Sequence, residues 1–435
     1  MRLRAVALVV SYCLLLSRDA AAQSPVTDSV SLPTLQQLAR SRDPRSRQLE
    51  LLSAQSDLRR RNIASEMLPA LSVESQAQYQ SDAVRFPITL PGGQRPPTPP
   101  KDTYDAHAGV QQRIYDPARG PRLRLENAQL AESSARVRTS LYAVAQSVND
   151  AFFTALRSEI QITELETTLA DLDAQLAVAS ARVRDGTALP SEALTLRAEV
   201  LRRRQLVSES AAMRRVSLIV LEQLTGRPID STMRLRTPDL AGEVARTGAV
   251  SALRSRPEYD QFARARDVID EQRLVRGAQS RPRVSAYGRG GYGRPALNPL
   301  SDKFDTYYLA GVQLQWSPFG WGATDRDREL LKLQSQIVST EETAFTDAIQ
   351  RAVVQDIAAM ERLESTLRSD DEIIALRETI AAETRTRYSE GVVTSAEYVD
   401  RQTDVLSARI NRAMHRVELA QARARYLTTL GVETR

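Results

Sequence analysis

The chain has 435 residues, of which 59 are basic and 54 acidic, and its formal net charge is +5. A chain of this length can hold two or three ordinary domains. The nearly balanced charge does not suggest a nucleic-acid partner.

The first 22 residues have the organisation of a cleaved secretory signal peptide. Arg2 and Arg4 precede an apolar stretch, residues 5–16, and three alanines stand before Gln23. An N-terminal membrane anchor is the alternative, but a transmembrane helix needs about 20 apolar residues, more than this stretch provides. Because Cys13 is the only cysteine and lies in this segment, we expect an exported mature chain without cysteine.

A helix and a β-hairpin are predicted next. The helix runs from about Leu32 to Met67 and ends at Pro69. Two segments, at about 70–81 and about 104–115, then alternate apolar and polar residues, as strands with one apolar face do. A proline-rich segment between them, residues 86–101, is predicted to be the exposed loop of this hairpin.

A very long helix follows the hairpin. Neither glycine nor proline occurs between Arg122 and Asp185, and apolar residues recur every three or four positions from Leu130 to Val183. This repeat is typical of a coiled coil, and at 1.5 Å per residue that run would be about 80 Å long. A tight turn at about 184–191 and a returning helix complete a first predicted repeat, residues 23–226.

The same order of elements returns in the second half of the chain. Residues 227–256 are less regular and are predicted to link the two halves. The second repeat, residues 257–435, contains a short helix, strands at about 283–293 and about 304–316, a long helix from Ala323 to Glu390, a turn at about 389–396 and a last helix.

The two turns match in detail. Gly186 and Gly391 lie 205 residues apart, and so do the two glycines that end the returning helices, Gly226 and Gly431. In the second turn, Thr394 and Glu397 have the spacing of a capping box, and Pro190 of the first turn suits the first position of a helix. This agreement indicates an internal duplication.

The four predicted strands are long enough to cross the hydrocarbon core of a membrane when tilted. Their apolar faces end in aromatic residues such as Tyr104, Tyr308 and Trp316, as at a membrane interface. A sheet in lipid must have every edge paired, and the smallest closed barrels have about eight strands. One chain therefore needs copies of itself, and three would give twelve strands. The alternative is a half-buried sheet in a soluble periplasmic coiled-coil scaffold without a pore.

The doubled layout and the second turn, Tyr388-x-x-Gly391-x-x-Thr394-x-x-Glu397-x-Val399-Asp400-x-Gln402, resemble the TolC-like outer-membrane efflux protein family over essentially the whole mature chain. The resemblance implies a mainly α fold with a transmembrane β-barrel. Two tandem repeats of helix, strand, strand, long helix and helix would form it, with residues 227–256 as the equatorial link. A homotrimer would then build a twelve-stranded β-barrel and a periplasmic α-helical coiled-coil barrel.

The same resemblance implies a function. The chain would be the exit duct of a tripartite efflux or type I secretion system in the outer membrane of a Gram-negative cell, extending into the periplasm. Transport through it would be passive and driven by its partners. These would be a periplasmic adaptor (membrane fusion) protein and an inner-membrane efflux pump or ABC transporter.

Candidate site residues follow from matching the two turns to the family. Glu397 and Asp400 would ring the periplasmic entrance and favour cations, although the capping box explains Glu397 equally well. Tyr388 and Glu192 match a contact that closes the entrance. Val393 stands where better-known members carry a basic residue, so the closing ion pair is missing there. The tips that face the adaptor would be formed by Gly186, Thr187, Leu189, Gly391, Val392 and Thr394.

Other patterns carry no site in this interpretation. A G-x-G-x-x-G sequence, residues 288–293, is followed by prolines instead of the helix that a dinucleotide site needs, so it is predicted to be a strand. Arg202-Arg203-Arg204 is predicted to be a solvated helix face, or at best an adaptor contact. His107 and His415 are far apart and have no cysteine partners, so no metal site is predicted. We expect no cofactor and no catalysis.

Overall fold

The computed structural model describes residues 31–84, 87, 92–93, 98–230, 232–247 and 255–432. The predicted signal peptide, much of the proline-rich loop and part of the link between the halves lie outside these residues. In chain order the elements are α1 (Leu32–Arg42), α2 (Ser46–Ser65), β1 (Ala70–Tyr79), β2 (Asp102–Tyr115), α3 (Arg119–Arg184), α4 (Pro190–Thr225), α5 (Ala241–Arg246), α6 (Pro257–Gln279), β3 (Arg283–Arg294), β4 (Asp305–Gln315), α7 (Ala323–Ser389) and α8 (Ser395–Leu430).

The prediction of one continuous N-terminal helix was wrong, because the chain bends between α1 and α2. Pro44 has no N–H to donate and disfavours a helical conformation at the residue before it. Asp43 accordingly leaves the helix, with ψ of 128°. Its carboxylate accepts hydrogen bonds from the backbone N–H of Arg45 at 2.8 Å and from its guanidinium at 2.7 Å. The hydrogen bond from the Arg45 guanidinium also holds the pKa of Asp43 below its usual value.

Two long helical hairpins form most of the molecule. The first hairpin consists of α3, with 66 residues, and α4, with 36. The second consists of α7, with 67 residues, and α8, with 36. At 1.5 Å per residue, α3 and α7 are each about 100 Å long. The two hairpins lie side by side because α8 packs against both α3 and α4.

The largest apolar core joins the hairpins near the middle of the molecule. Phe152 and Phe153 of α3 are fully buried, and their rings meet edge to face at 5.4 Å between centroids. Leu35 of α1, Leu221 of α4 and Leu427 of α8 are buried in the same cluster. Burying a side chain of this size stabilises a fold by roughly 1.5–3 kcal/mol. This core fixes the relative position of the hairpins, and hence of their tips.

The strands form one antiparallel sheet in the order β1-β2-β3-β4. Strand β1 pairs Ala70 with Gln111 of β2, and β3 pairs Arg283 with Gln315 of β4. Strands β1 and β4 are therefore the two edges of the sheet within the described residues, and each leaves a row of backbone groups unpaired.

One face of the sheet is apolar and exposed. Leu71 and Val73 of β1 are 84% and 86% exposed, and Tyr308 and Val312 of β4 are 84% and 69% exposed. Isolated exposed apolar residues are ordinary, but a continuous face of them marks an interaction surface.

Among the residues that the structure describes, no helix combines the length and the apolar character that crossing a bilayer requires.

Candidate functional site at the hairpin tips

Both hairpin tips have the same backbone structure. In the first, Thr187 N–H donates to Arg182 O at 2.9 Å, and Gly186 N–H donates to Val183 O at 3.2 Å. The second tip repeats this pair of bonds, from Val392 to Arg387 at 2.9 Å and from Gly391 to Tyr388 at 3.1 Å. Two such bonds define a Schellman motif, which needs a residue with positive φ after the helix.

The glycines supply that conformation. Gly186 has φ of 69° and Gly391 has φ of 76°, and a Cβ at either position would meet no atom within 4 Å. Glycine is therefore required by the backbone angle and not by a lack of space. The tips are also exposed, and the apolar side chains Leu189 and Val392 are 68% and 69% accessible.

An apolar cluster holds the two tips together. Tyr388 of α7 and Tyr398 of α8 are buried against residues of the first hairpin, among them Leu172 and Leu196. The two tyrosine rings stack, with centroids 5.0 Å apart and planes inclined by 17°. Val393, for which the resemblance implied a basic residue, packs against this cluster. The ion pair that closes other members of the family was expected to be missing at this position, and an apolar contact of Val393 is found there instead.

One polar contact crosses this cluster between the hairpins. The fully buried Tyr398 donates its hydroxyl to Asp171 Oδ2 of α3 at 2.7 Å. The other oxygen of Asp171 lies 3.2 Å from Arg385 Nη2 of α7. Burial, and then the hydrogen bond to Asp171, raise the pKa of Tyr398, so its hydroxyl stays protonated and acts as a donor. We call these three residues, Tyr398, Asp171 and Arg385, the tip clamp.

Sequence reasoning did not find the tip clamp. Tyr398 lies inside the second turn motif, next to Glu397, and a large aromatic residue there was the only available signal. Asp171 and Arg385 lie within long helices whose polar positions look alike, so only their relative rotation brings them together.

Tyr388 and Glu192, the predicted closing pair, interact only through the charge of Glu192. Burial raises the pKa of Tyr388, and the charge of Glu192 raises it further. Within the described residues, the Tyr388 hydroxyl makes no hydrogen bond. A further hydrogen bond between the tips is made by Arg182, whose Nη2 donates to the carbonyl of Ser389 at 3.3 Å.

The predicted entrance carboxylates, Glu397 and Asp400, lie one turn apart and exposed at the start of α8. Thr394 Oγ1 accepts the Glu397 N–H at 3.3 Å, which is one half of the capping box. The Glu397 carboxylate itself makes no hydrogen bond or ion pair with any described residue. Asp400 lies 3.2 Å from the guanidinium of Arg401, a partner that the spacing did not predict.

The prediction that Arg202-Arg203-Arg204 forms a solvated face was wrong for its central residue. Arg203 is only 1% exposed, and its Nε donates to Glu199 Oε1 at 3.0 Å. Its Nη2 donates to Thr403 Oγ1 of α8 at 3.3 Å, so it also ties the first hairpin to the second. A run of three arginines on a helix must cover almost a full turn, and one of them faced the neighbouring hairpin.

The sheet lies at the other end of the hairpins from the tips, and the face opposite its apolar face carries a polar network. Tyr307 donates to Asp105 Oδ1 at 2.5 Å, and His107 Nδ1 lies 2.6 Å from Asp105 Oδ2. Glu74 lies 3.8 Å from His107 Nε2. The network spans β1, β2 and β4, so the sheet has one polar and one apolar face.

The glycine-rich pattern at residues 288–293 lies in β3, between the network residues of β2 and that of β4. A Cβ at Gly291 would stand 2.6 Å from His107 Cβ, so the glycine gives the histidine its space. In the described part of the chain, no group of three or more histidine, cysteine and carboxylate side chains could hold a metal ion.

Comparison with known proteins supports the architecture. No protein-family model and no curated protein sequence matches the chain. Solved structures with a similar fold include the outer membrane protein VceC of Vibrio cholerae, with a TM-score of 0.66 and 12% identity, over 92% of this chain and 96% of VceC. The CmeC outer membrane channel of Campylobacter jejuni has a TM-score of 0.67 and 13% identity, over 93% of this chain and 86% of CmeC.

A third similar structure is the open state of the MtrE outer membrane channel of Neisseria gonorrhoeae. It has a TM-score of 0.66 and 17% identity, over 92% of this chain and 89% of MtrE. These similarities extend over nearly the full length of both chains, and they confirm the predicted mainly α fold class with its small antiparallel sheet. The chain therefore has the TolC-like fold of these outer-membrane channels.

Proposed function

We propose that three copies of this chain form a passive exit duct in the outer membrane, through which a partner pump drives its cargo. The observation that carries the proposal is the four-stranded sheet, with two open edges and one exposed apolar face, at the end of two helical hairpins about 100 Å long. In water such a sheet would expose both its edges and its apolar face. In a membrane, only a closed barrel satisfies every backbone group.

The direction of the edges fits closure by identical copies. Because all three pairings in the sheet are antiparallel, β1 and β4 run in opposite directions. Placing β4 of one copy beside β1 of the next continues the antiparallel pattern. Three copies give twelve strands, a number within the range of closed outer-membrane barrels.

Exposed apolar residues on the helices support the same assembly below the barrel. The outer surface of α4 carries Leu194, Leu201 and Val216, which are 62%, 57% and 57% exposed. The outer surface of α7 carries Val354 and Leu376, which are 66% and 60% exposed. Since α8 occupies the space between the two hairpins of one chain, α4 and α7 are left as its flanks. In a trimer, α7 of one copy would pack against α4 of the next and bury both surfaces.

The hairpin tips would form the closed periplasmic entrance of the duct. The tip clamp and the apolar cluster around Tyr398 hold the second hairpin against the first, so opening requires the two hairpins to separate there. Glu397, Asp400, Tyr388 and Glu192 lie at this end, and the exposed carboxylates would line the entrance and favour cations.

The exposed tips are also where we place the docking of a periplasmic adaptor protein. Leu189 and Val392 offer apolar anchors beside Gly186, Thr187, Gly391 and Thr394. The adaptor would connect the duct to an inner-membrane efflux pump or ABC transporter, and energy would come from that partner. Transport of this kind requires no catalytic step and no cofactor from this chain.

Conductance in planar lipid bilayers tests the proposal. Protein extracted from membranes with detergent is expected to insert and give discrete current steps. Absence of conductance, together with release of the protein from cells without detergent, would instead support the soluble coiled-coil scaffold.

A further inference from the structure

Four arginines line an open cavity where the sheet joins the helices. The cavity has a volume of about 320 Å³ and lies between the end of β2, the start of α3, the end of α6 and the start of β3. The arginines are Arg113, Arg122, Arg281 and Arg283.

Two of the four arginines form ion pairs with carboxylates, and the other two do not. Arg122 binds Glu66 at 2.8 Å and Asp116 at 2.6 Å, and Arg113 also pairs with Glu66. The guanidinium groups of Arg281 and Arg283 make no ion pair or hydrogen bond with any residue that the structure describes. In addition, Arg122 Nε is buried and donates to no described acceptor. The cavity therefore holds excess positive charge and unused N–H donors.

The cavity belongs to the polar side of the sheet. Arg283 pairs in register with Gln315 of β4, and Arg113 pairs with Ser285 of β3. Arg113 also shares its face with Asp105 and His107, because residues two positions apart on a strand point to the same side. If the apolar face contacts lipid, the cavity opens to the lumen of the duct.

We propose that this cavity binds oxyanions, such as phosphate, sulfate or carboxylate groups, and that three copies form an anion-attracting collar between barrel and tunnel. Guanidinium groups bind such oxygens through paired N–H donors, and rings of arginine select for anions in other pores. The collar part of this inference rests on the proposed function, whereas binding to the cavity does not.

The test compares the wild-type protein with an Arg281→Gln, Arg283→Gln double variant. Both side chains are exposed and unpaired, so the variant is expected to fold normally. The matched control is Arg47→Gln, Arg61→Gln, which removes two exposed arginines of α2 that also have no partner among the described residues. The probe is tripolyphosphate.

Isothermal titration calorimetry of the detergent-solubilised protein measures binding without requiring a pore. We expect tripolyphosphate to bind the wild type and the control, and the affinity of the double variant to fall at least about tenfold, since two charge-assisted contacts are lost. Equal affinity of the double variant and the wild type would overturn the proposal.

Reversal potentials in a KCl gradient then test the collar. In bilayers of phosphatidylcholine, we expect the ratio of chloride to potassium permeability to fall about threefold in the double variant and not in the control. Channels of normal conductance with an unchanged ratio would refute the collar. Absence of conductance with retained binding would refute the exit duct and leave the oxyanion site standing.

The same bilayers distinguish the source of the anion. Block of the current by tripolyphosphate that weakens as phosphatidylglycerol is added assigns the cavity to lipid headgroups. Block that is independent of phosphatidylglycerol assigns it to soluble anions in the lumen. Either result supports an oxyanion site, but assignment to lipid headgroups would refute the collar, because the collar faces the lumen.

Discussion

Replacing Tyr398 by phenylalanine tests the tip clamp with the smallest possible change. The substitution removes one hydroxyl and keeps the buried ring that stacks on Tyr388. A hydrogen bond to a charged acceptor contributes about 1.5–3 kcal/mol. Because Asp171 keeps its ion pair with Arg385 at 3.2 Å, it is not left without a partner, and we expect the lower part of this range, about 2 kcal/mol.

A loss of about 2 kcal/mol corresponds to a roughly 30-fold shift between closed and open tips. The assay is the open probability of single channels in planar bilayers at fixed voltage. The matched control is Tyr426→Phe, because Tyr426 is also a buried tyrosine of α8 but its hydroxyl has no hydrogen bond within the described residues. An unchanged open probability in Tyr398→Phe, or an equal increase in Tyr426→Phe, would refute the clamp.

Three further predictions follow from the geometry. Burial and Asp171 raise the pKa of Tyr398 above its usual value of 10.0, so the clamp is fully present below about pH 10 and weakens as the pH rises further. The open probability of the wild type should therefore rise above about pH 10, whereas that of Tyr398→Phe should not. Gly391→Ala should destabilise the second tip by about 1 kcal/mol, because the backbone at Gly391 has a positive φ. Gly242→Ala in helix α5 should not be destabilising, because no atom lies near the position of the added Cβ. Thermal unfolding followed by circular dichroism measures both variants. Arg203→Met should lower the free energy of unfolding by about 1.5 kcal/mol, because Glu199 loses a buried partner but keeps its ion pair with Arg202 at 3.2 Å. A cost no larger than that of Arg204→Met, at the exposed ion pair with Asp173, would contradict this.

Local patterns in the sequence were sufficient to predict the tips and the sheet. Gly186 and Gly391 stand where each helix must end in a left-handed residue, and that requirement is local. The alternation of apolar and polar residues places Leu71 and Val73 on one face of β1, which the structure leaves exposed. Pro44 was a local signal of the same kind, and overlooking it produced the wrong single helix.

Contacts between distant segments could not be predicted in this way. The pairing of Tyr398 with Asp171 depends on the rotation of α8 against α3, which no single helix determines. The burial of Arg203 has the same origin, since it depends on which side of α4 meets α8. The arginine cavity combines the ends of four elements from both halves of the chain, and none of these ends is unusual by itself.

In the proposed trimer, identical copies complete the sheet of each chain in a membrane. Native mass spectrometry of the mature protein, extracted from membranes with detergent, measures how many copies associate. We expect a complex with three times the mass of the chain, which dissociates to monomers only when the detergent-stable barrel unfolds. A monomer that stays in solution without detergent would contradict it.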